Sequence, residues 1–418
     1  MRATLLGYLL IFALQLSAQR ECATQEYIQQ LTNSNTQTAK SIREAESFTQ
    51  RMSTSGSGSA NRLAAEYIIH IPVVIHILYN EASQNISEAQ INSQLEALNR
   101  DFRRRNADSI NTPAVFKPLA ADAQIEFALA TADPNGRATN GIVRKATSVK
   151  YWSMDDKIKY SSQGGDDAWD SRYYLNIWVG NTRSLLGYAS SIGAPAAIDG
   201  IVINTTAFGT LNMSGAYDKG RTAVHEVGHW LGLKHIWGDT YCGDDGVEDT
   251  PKQSGFTTGC PTGIRTSSCS TSAAGDMYMN YMDFTNDACL NLFTQGQKTR
   301  MRSLFDEGAS RYSLLFSKGL NAPWNNTEPV SEEAAPIVHE QFKFYPNPVN
   351  NELVLNFEND ATWIGKELRI LNINGILLKT IKVDALVKTV SLSNLNAGIY
   401  FIQGMNGAKK INQKLLKL

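Results

Sequence analysis

The sequence contains little cysteine, little histidine and almost no net charge. Among 418 residues there are five cysteines and six histidines, and the formal net charge is -1. Because no basic stripe or arm is visible, the charge pattern argues against a nucleic-acid partner. The length predicts two or three domains, and a hydrophobic fraction of 42% is sufficient to form buried cores.

Long apolar runs are also scarce. The main one extends from Leu5 to Leu16, follows the positively charged Arg2 and precedes the small residues Ser17 and Ala18. This pattern predicts a secretory signal peptide over residues 1–18. Because the run is shorter than the roughly 20 residues of a membrane span, no membrane-spanning segment is expected. The protein is therefore predicted to be secreted, where disulfides are permitted.

Changes in composition divide the rest of the chain. Residues 19–52 are polar and helix-prone, and a flexible Gly/Ser-rich linker follows at 53–62. This order predicts a propeptide, with a disordered N-terminal tail as the alternative. The main domain is predicted over 53–320 and a Pro/Glu/Ala-rich linker over 321–340. Residues 341–418 have short alternating strands separated by Asn/Gly turns, which predicts a small β-sandwich.

The main domain is predicted to have an α+β fold. The β-branched segment Tyr67 to Tyr79 predicts a strand, and Ser87 followed by Gln90 predicts the start of a helix. His70 and His76 lie singly in that strand and are expected to be packed core residues. Further strands are predicted at 125–131, 174–179 and 200–203.

The strongest chemical signal is the segment HEVGHWLGLKH. His225 and His229 are four residues apart, so a helix would place both on one face, where neutral imidazoles bind zinc. Gly232 can adopt a left-handed conformation that ends the helix, and the chain can then bring His235 to the same ion. Three protein ligands leave a position for water, as in catalytic sites. Glu226 is predicted to be the general base that takes a proton from that zinc-bound water.

A second cluster of oxygen ligands follows the zinc segment. Its spacing differs from that of an EF-hand, but its side-chain and backbone oxygens suit calcium, with a solvated acidic loop as the alternative. The candidate ligands are Asp244, Asp245, Val247, Glu248, Asp249 and Thr250.

Several motifs together resemble the pappalysin family of metzincin metalloproteases. They are HExxHxxGxxH at 225–235, GVEDTPKQ from Gly246 and MNYMDFTNDACLNLFTQGQKTRMR from Met279, and the resemblance covers about Tyr67 to Arg311. It implies a metzincin-type domain with a mixed β-sheet and an active-site helix, and a secreted zinc endopeptidase that cleaves protein or peptide substrates. It also implies that Met282 forms the methionine turn beneath the metal.

The resemblance has further implications for the segment after the zinc helix. From the residues alone, four cysteines allow three disulfide pairings; the family implies Cys242 with Cys269 and Cys260 with Cys289. It also suggests calcium at the acidic loop. Phe284 departs from the family pattern, which has a tyrosine there whose hydroxyl stabilises the reaction intermediate.

Substrate preference is predicted only through the family. Some relatives favour Arg or Lys just after the cut bond, using an acidic residue at the floor of the pocket. Asp287 is the candidate here, and its neighbour Ala288 competes for the deciding position. With such a preference, Gln50–Arg51 and Asn61–Arg62 are candidate self-cleavage points.

The C-terminal segment resembles a sorting domain of the type IX secretion system. FYPNP from Phe344, LRILNINGILLKT, VSLSNLNAGIYFIQ and a lysine-rich end occur in that order. The resemblance implies that this domain contacts the secretion machinery, and that the protein is released or retained on the outer cell surface. A substrate-binding or adhesion sandwich is the alternative.

Cys22 is the unpaired cysteine if the other four form disulfides. It lies in the predicted propeptide, and a thiolate is a strong zinc ligand. We therefore predict that Cys22 occupies the water position in a latent zymogen and is released with the propeptide. An unpaired thiol without a role is the alternative.

Two other classes of function compete with the endopeptidase. One is a catalytically weak zinc-containing binding or adhesion protein, which Phe284 favours and Glu226 disfavours. The other is a zinc hydrolase that does not act on peptides, which a peptide-cleavage assay would distinguish.

Overall fold

The computed structural model describes residues 22–54, 67–211, 213–270, 273–323, 343–357, 361–372, 377–406 and 409–418. It has two compact units, one up to residue 328 and the other from residue 329. The signal peptide predicted at 1–18 and most of the linkers predicted at 53–62 and 321–340 lie outside the described residues, so the exact domain limits stay a prediction.

A six-stranded sheet forms the centre of the first unit. Its order is β2-β1-β4-β6-β5, and β3 pairs with the second half of β1 beside β2. All neighbours are parallel except β5, the antiparallel edge strand on β6. The strands are β1 Ile69–Tyr79, β2 Ile125–Leu129, β3 Ile142–Ala146, β4 Leu175–Gly180, β5 Gly187–Ala189 and β6 Ile201–Asn204.

Within the described residues five α-helices surround this sheet, and three of them build the main core. The helix at Glu88–Phe102 begins as predicted, because the Ser87 hydroxyl accepts a hydrogen bond from the backbone N–H of Gln90. Its apolar face packs on the sheet together with the zinc-motif helix. The helices are α1 Thr24–Ser34, α2 Thr36–Thr54, α3 Glu88–Phe102, α4 Arg221–Trp230 and α5 Gln295–Ser303.

Short 3-10 turns connect many of these elements. Their bounds are Ala82–Gln84, Ala107–Asn111, Lys117–Leu119, Lys157–Lys159, Ser161–Gln163, Ala196–Ile198, Thr205–Ala207, Asp287–Cys289, Tyr312–Phe316 and, in the second unit, Ala361–Trp363. Among the residues described, no helix has the length and apolar composition needed to cross a bilayer.

The structure confirms the α+β fold but adds features that periodicity did not indicate. Strand β3 contains Arg144 and Lys145 and is poorly buried, and β5 is only three residues long. The prediction for His76 is confirmed, since it is fully buried. That for His70 is wrong: its side chain is 55% exposed beside Glu126.

The second unit is a small β-sandwich, as predicted. A four-stranded sheet β10-β9-β12-β13 and a three-stranded sheet β11-β8-β7 contribute to one apolar core around Trp363 and Ile402. All its strand pairs are antiparallel. The strands are β7 Lys343–Tyr345, β8 Glu352–Asn356, β9 Glu367–Asn372, β10 Leu377–Lys382, β11 Val387–Ser391, β12 Gly398–Asn406 and β13 Lys409–Lys417.

A buried polar cluster fixes the end of α4. Both oxygens of the Asp199 carboxylate accept hydrogen bonds from Arg311, and Oδ1 also accepts from the Trp230 indole at 3.0 Å and the Ser190 hydroxyl at 2.8 Å. The Arg311 guanidinium lies 3.9 Å from a Trp230 ring centroid. Asp199 and Arg311 are both buried, so removing one charge would leave the other without its partner.

We expect Arg311→Met to lower the free energy of unfolding of the first unit by ~3–5 kcal/mol, because the Asp199 charge would stay buried and uncompensated. Urea denaturation followed by tryptophan fluorescence measures this. The control is Arg137→Met, which breaks a pair with Asp133 in which the Arg137 side chain is 54% exposed, and it should cost about 1 kcal/mol or less. Equal losses for the two variants would contradict a special role of the cluster.

Candidate metal centre and active site

Three imidazoles converge at the end of α4. His225 and His229 lie one turn apart on this helix, and Gly232 ends it with a φ of 79°. The chain then returns His235 to the same point. The Nε2 atom of His229 lies 3.1 Å from Nε2 of His225 and 3.1 Å from Nε2 of His235.

The hydrogen bonds of the three Nδ1 atoms determine whether the Nε2 atoms are free to bind a metal. Nδ1 of His225 faces the carbonyl oxygen of Tyr281 at 2.7 Å, and Nδ1 of His229 faces that of Leu233 at 2.9 Å. Nδ1 of His235 contacts the Asp239 carboxylate. All three partners are acceptors, so each Nδ1 carries the proton and each Nε2 presents a lone pair.

This arrangement fits a metal cation. Burial, then the neighbouring His235, lower the pKa of His229 to about 3, so the ring is neutral. Adjacent Nε2 lone pairs with no proton between them repel one another unless a cation lies among them. A set of neutral imidazoles whose second nitrogens are fixed by acceptors is the donor set that zinc prefers.

Cys22 contributes a fourth ligand atom to the cluster. Its Sγ and the nitrogens of the three histidines all lie within 4.8 Å of one another, and all four residues are buried. Cys22 is a free cysteine. Burial, followed by the negative charge of Glu226, raises the pKa of its thiol. In the absence of a cation the sulfur therefore stays protonated.

The residues after Cys22 occupy the rest of the site. The Thr24 hydroxyl donates to Oε2 of Glu226 at 2.8 Å and accepts from the backbone N–H of Ala189 at 2.9 Å. The N–H of Ala23 donates to the carbonyl of Gly187 at 3.1 Å, so the chain extends the sheet at the edge of β5. A Cβ at Gly187 would lie 3.0 Å from Cγ of Glu226, which explains how β5 can pass so close to the carboxylate.

Met282 lies beneath the histidines. Its sulfur packs so closely on α4 that a Cβ at Gly228 would lie 2.6 Å from it, which accounts for the glycine between the two ligands of the helix. The Met282 carbonyl accepts from the N–H of Ile236 at 3.2 Å and ties the turn to the segment that carries His235.

An aromatic cluster covers the other side of the histidines. The Trp237 ring stacks on His235 at 4.4 Å, and the Phe284 ring lies 4.9 Å from His235 and 5.7 Å from His225. Phe284 therefore stands beside the centre but brings no hydroxyl to it. The ring of Phe256 extends the cluster.

Two disulfides staple the segment between α4 and α5. They join Cys242 to Cys269 and Cys260 to Cys289, the pairing that the family resemblance implied.

Comparisons with known proteins identify the family. Residues 159–306 match the peptidase M43 family, described as pregnancy-associated plasma protein-A. An extracellular metalloprotease of Colletotrichum graminicola is 31% identical over 272 residues, which are 61% of this chain and 82% of that protein. One of Verticillium alfalfae is 30% identical over 260 residues, or 59% and 79% of the two chains. The chain belongs to the pappalysin family.

Solved structures of pappalysin relatives agree with this. Mature mirolysin of Tannerella forsythia, in complex with a cleaved peptide, is 52% identical, with a TM-score of 0.58 over 60% of this chain and 96% of that one. A mutant of promirolysin from the same organism is 46% identical, with a TM-score of 0.65 over 71% and 97%. Residues 343–417 match the secretion system C-terminal sorting domain. The chain is a secreted metalloendopeptidase made as a zymogen, and the family implies zinc.

The acidic loop of this pappalysin does not gather its carboxylates at one point. Within the described part of the chain, the Cys/His cluster is the one group of three or more such side chains that converges on a metal position. Asp244 accepts from the N–H of Gly246, and Asp245 accepts from the N–H of Val247 and from Thr250. Asp249 accepts from Thr294 and from the N–H of Gly296 at the start of α5, and Glu248 is exposed.

Asp287 is buried and contacts the start of α4. Its Oδ2 accepts from the backbone N–H groups of Lys219 and Arg221 at 2.9 and 3.1 Å. These bonds stabilise the first turn of the zinc-motif helix. Its role in a specificity pocket stays a prediction.

Sequence reasoning missed two residues that orient the site, Thr24 and Asp239. Asp239 holds a left-handed φ of 59° after Gly238, which turns its carboxylate back to His235. Burial alone would raise the pKa of Asp239, but the hydrogen bond from His235 holds it below its ordinary value. The signal was a carboxylate four residues after the last histidine of the motif.

We expect Asp239→Asn to weaken zinc affinity by ~10–100-fold, because a neutral amide oxygen would replace the charged carboxylate that fixes the proton of His235 on Nδ1 and makes its ring a stronger ligand. Competition with a chromophoric chelator measures this. The control is Asp170→Asn, which alters an exposed pair with Arg172 and should leave zinc affinity unchanged. Zinc affinity within twofold of the parent protein for Asp239→Asn would show that Asp239 does not position the ligand.

Proposed function

We propose that His225, His229 and His235 hold the catalytic zinc of an endopeptidase and that Glu226 is its general base. We also propose that Cys22 is the latch of the zymogen, meaning that its sulfur occupies the ligand position of the catalytic water and keeps the enzyme inactive. The observation that carries this proposal is the convergence of three unprotonated Nε2 atoms and one sulfur on a single point, with the Glu226 carboxylate close to the sulfur. A site with only a structural role would have no use for Glu226, which lies beside the ligands but faces the prosegment.

The chemistry follows from the residues present. Zinc supplies a Lewis acid that polarises the scissile carbonyl and lowers the pKa of a water molecule. Glu226 takes the proton of the attacking water and passes it to the amine that leaves. Once residues 22–24 have left, the edge of β5 can offer its backbone groups to an extended peptide, which is how strand edges bind substrates. Protein or peptide chains are thus the proposed substrates.

Latency follows from the same contacts. Residues 22–24 block three features that a substrate needs. Cys22 lies at the open ligand position, Thr24 hydrogen-bonds to the general base Glu226, and the backbone pairs with the edge of β5. Helix α2 holds this segment in place, since the buried Arg300 donates to Glu46 at 2.6 Å and to Gln50 at 2.7 Å. We infer that cleavage after α2 releases residues 22–54. Gln50–Arg51 lies inside α2 and is not extended, and Asn61–Arg62 lies outside the described residues.

The second unit is proposed to bring the protease to the type IX secretion machinery, as the match over residues 343–417 supports. Calcium is proposed for the acidic loop, where the Asp245 carboxyl is buried and has a raised pKa. Burial raises the pKa of its carboxyl to about 7, although hydrogen bonds from Thr250 and Val247 oppose this.

The time course of peptide hydrolysis tests the proposed roles. With zinc and calcium present, the chain lacking residues 1–18 should show a lag that Cys22→Ala lacks, because the alanine cannot occupy the ligand position. Glu226→Gln should reduce turnover by ~10²–10⁴-fold or more while zinc content stays the same.

Glu96→Gln is the matched control for the base, since Glu96 is an exposed carboxylate on α3. It should leave both lag and turnover unchanged. Identical lags for the parent chain and Cys22→Ala would refute the latch but not the protease. If none of the proteins cleaves peptides, even without residues 22–54, the result would favour the zinc-containing binding protein, with the missing hydroxyl at Phe284 as the reason for inactivity.

The calcium proposal predicts a pH dependence. A buried carboxyl with a raised pKa favours its protonated state, so without calcium its contribution to stability falls as pH rises from about 4 through about 7. Calcium must displace this proton. The rise in melting temperature on adding calcium should therefore be larger near pH 8 than near pH 5.5. In Asp245→Asn this difference should vanish; if it persists, the loop does not bind calcium through Asp245.

A further inference from the structure

Helix α1 is attached to the rest of the first unit by few buried side chains. Its buried residues are Thr24, which contacts Glu226, and Tyr27. Tyr27 is 1% exposed and inserts into a slot lined by aromatic rings, where its ring centroid lies 4.7 Å from that of Tyr188. Trp178 and Trp152 belong to the same apolar cluster. Leu31 packs against the cluster only partly buried, so Tyr27 is the largest buried side chain of this helix.

The inner end of the slot is polar and matches a phenol. The Tyr27 hydroxyl donates to Oδ1 of Asp156 at 2.5 Å and accepts from Nζ of Lys159 at 2.9 Å. Nζ also lies 4.6 Å from the centroid of the Tyr27 ring. Lys159 is buried, and it also donates to the carbonyl of Ile198 at 2.9 Å. Lys159 and Asp156 also form an ion pair with each other at 2.9 Å, in which the Asp156 side chain is 16% exposed. The hydroxyl thus adds one hydrogen bond to each member of an ion pair of the main domain.

The slot is separate from the metal centre. Gly187 and Ala189 of β5 meet the prosegment beside Glu226, whereas the intervening Tyr188 points to the opposite face of the sheet, because side chains alternate along a strand. The walls belong to the sheet and to the segment around Lys159, which remain when residues 22–54 leave.

We propose that this slot is a binding site for the side chain of a peptide tyrosine in the mature protease. Once Tyr27 has left, Lys159 and Asp156 lose their shared partner inside an aromatic enclosure. A phenol restores both hydrogen bonds, since its oxygen accepts from one group while its proton goes to the other. Phenylalanine would fill the same space but make neither hydrogen bond, and it would place an apolar ring edge against the Lys159–Asp156 ion pair, which a site built on hydrogen bonds rejects.

The tyrosine can come from two sources, the cleaved prosegment held as a separate chain or another peptide. The inference rests on the proposed release of residues 22–54. Binding at the slot, however, requires neither bound zinc nor turnover, so it can be measured even if the catalytic assignment fails.

The test uses the mature protein without residues 1–54 and a labelled prosegment peptide of residues 22–54 that carries Cys22→Ala, followed by fluorescence anisotropy. Adding Tyr27→Phe to the peptide should weaken binding by ~10-fold or more, because two hydrogen bonds to charged groups are lost. Lys159→Met and Asp156→Asn in the protein should each reduce this preference. The preference should persist with a chelator present, and N-acetyltyrosinamide should compete better than N-acetylphenylalaninamide.

Equal affinities of the tyrosine and phenylalanine peptides for a folded mature protein would overturn the proposal, as would a preference that both protein variants retain. Circular dichroism establishes that each variant is folded. Mass spectrometry of the protein purified after activation distinguishes the sources: a co-purifying prosegment fragment that is lost with Tyr27→Phe identifies the prosegment as occupant. Its absence, with the tyrosine preference intact, identifies another peptide.

Discussion

The structure depends on one electrostatic constraint, that three neutral imidazoles present their lone pairs to a single point. Such an arrangement is repulsive without a cation, and it is maintained by three acceptors outside the rings. Those acceptors come from different places: the carbonyl of Tyr281 precedes the methionine turn, that of Leu233 follows the helix, and Asp239 lies beyond the third histidine. The turns at Gly232 and Asp239, both with left-handed backbone, bring the Leu233 carbonyl and the Asp239 carboxylate to the rings.

The same constraint requires that α4 stay fixed at both ends. At its start, Arg221 donates to Asp101 of α3 and to Asp108, while the N–H groups of the first turn meet Asp287. At its end, Trp230 and Arg311 meet Asp199. All of these charged side chains except Asp108 are buried, so each depends on its partner, and a shift of the helix would leave unpaired groups at both ends.

Latency uses features that catalysis also needs. A strand edge offers unpaired N–H and C=O groups to any extended chain, and in the zymogen residues 22–24 take that edge beside Glu226. Two further contacts hold the prosegment: Tyr27 in an aromatic slot behind the edge strand, and Glu46 and Gln50 on Arg300. The prosegment is therefore bound through several dissimilar sites, and each becomes free when it leaves.

The sequence by itself determined the local chemistry. The spacing of His225, Glu226 and His229 follows from helical geometry, Gly232 marks the end of that helix, and the alternating strands of the last domain indicate a sandwich. These are short-range consequences of backbone geometry and side-chain type. The tertiary structure alone decided that Thr24 meets Glu226 and that Tyr27 meets Lys159, because these contacts join residues 202 and 132 positions apart and have no local period. It also decided that β5 forms the sheet edge, because a strand of three residues is too short to show an alternating pattern.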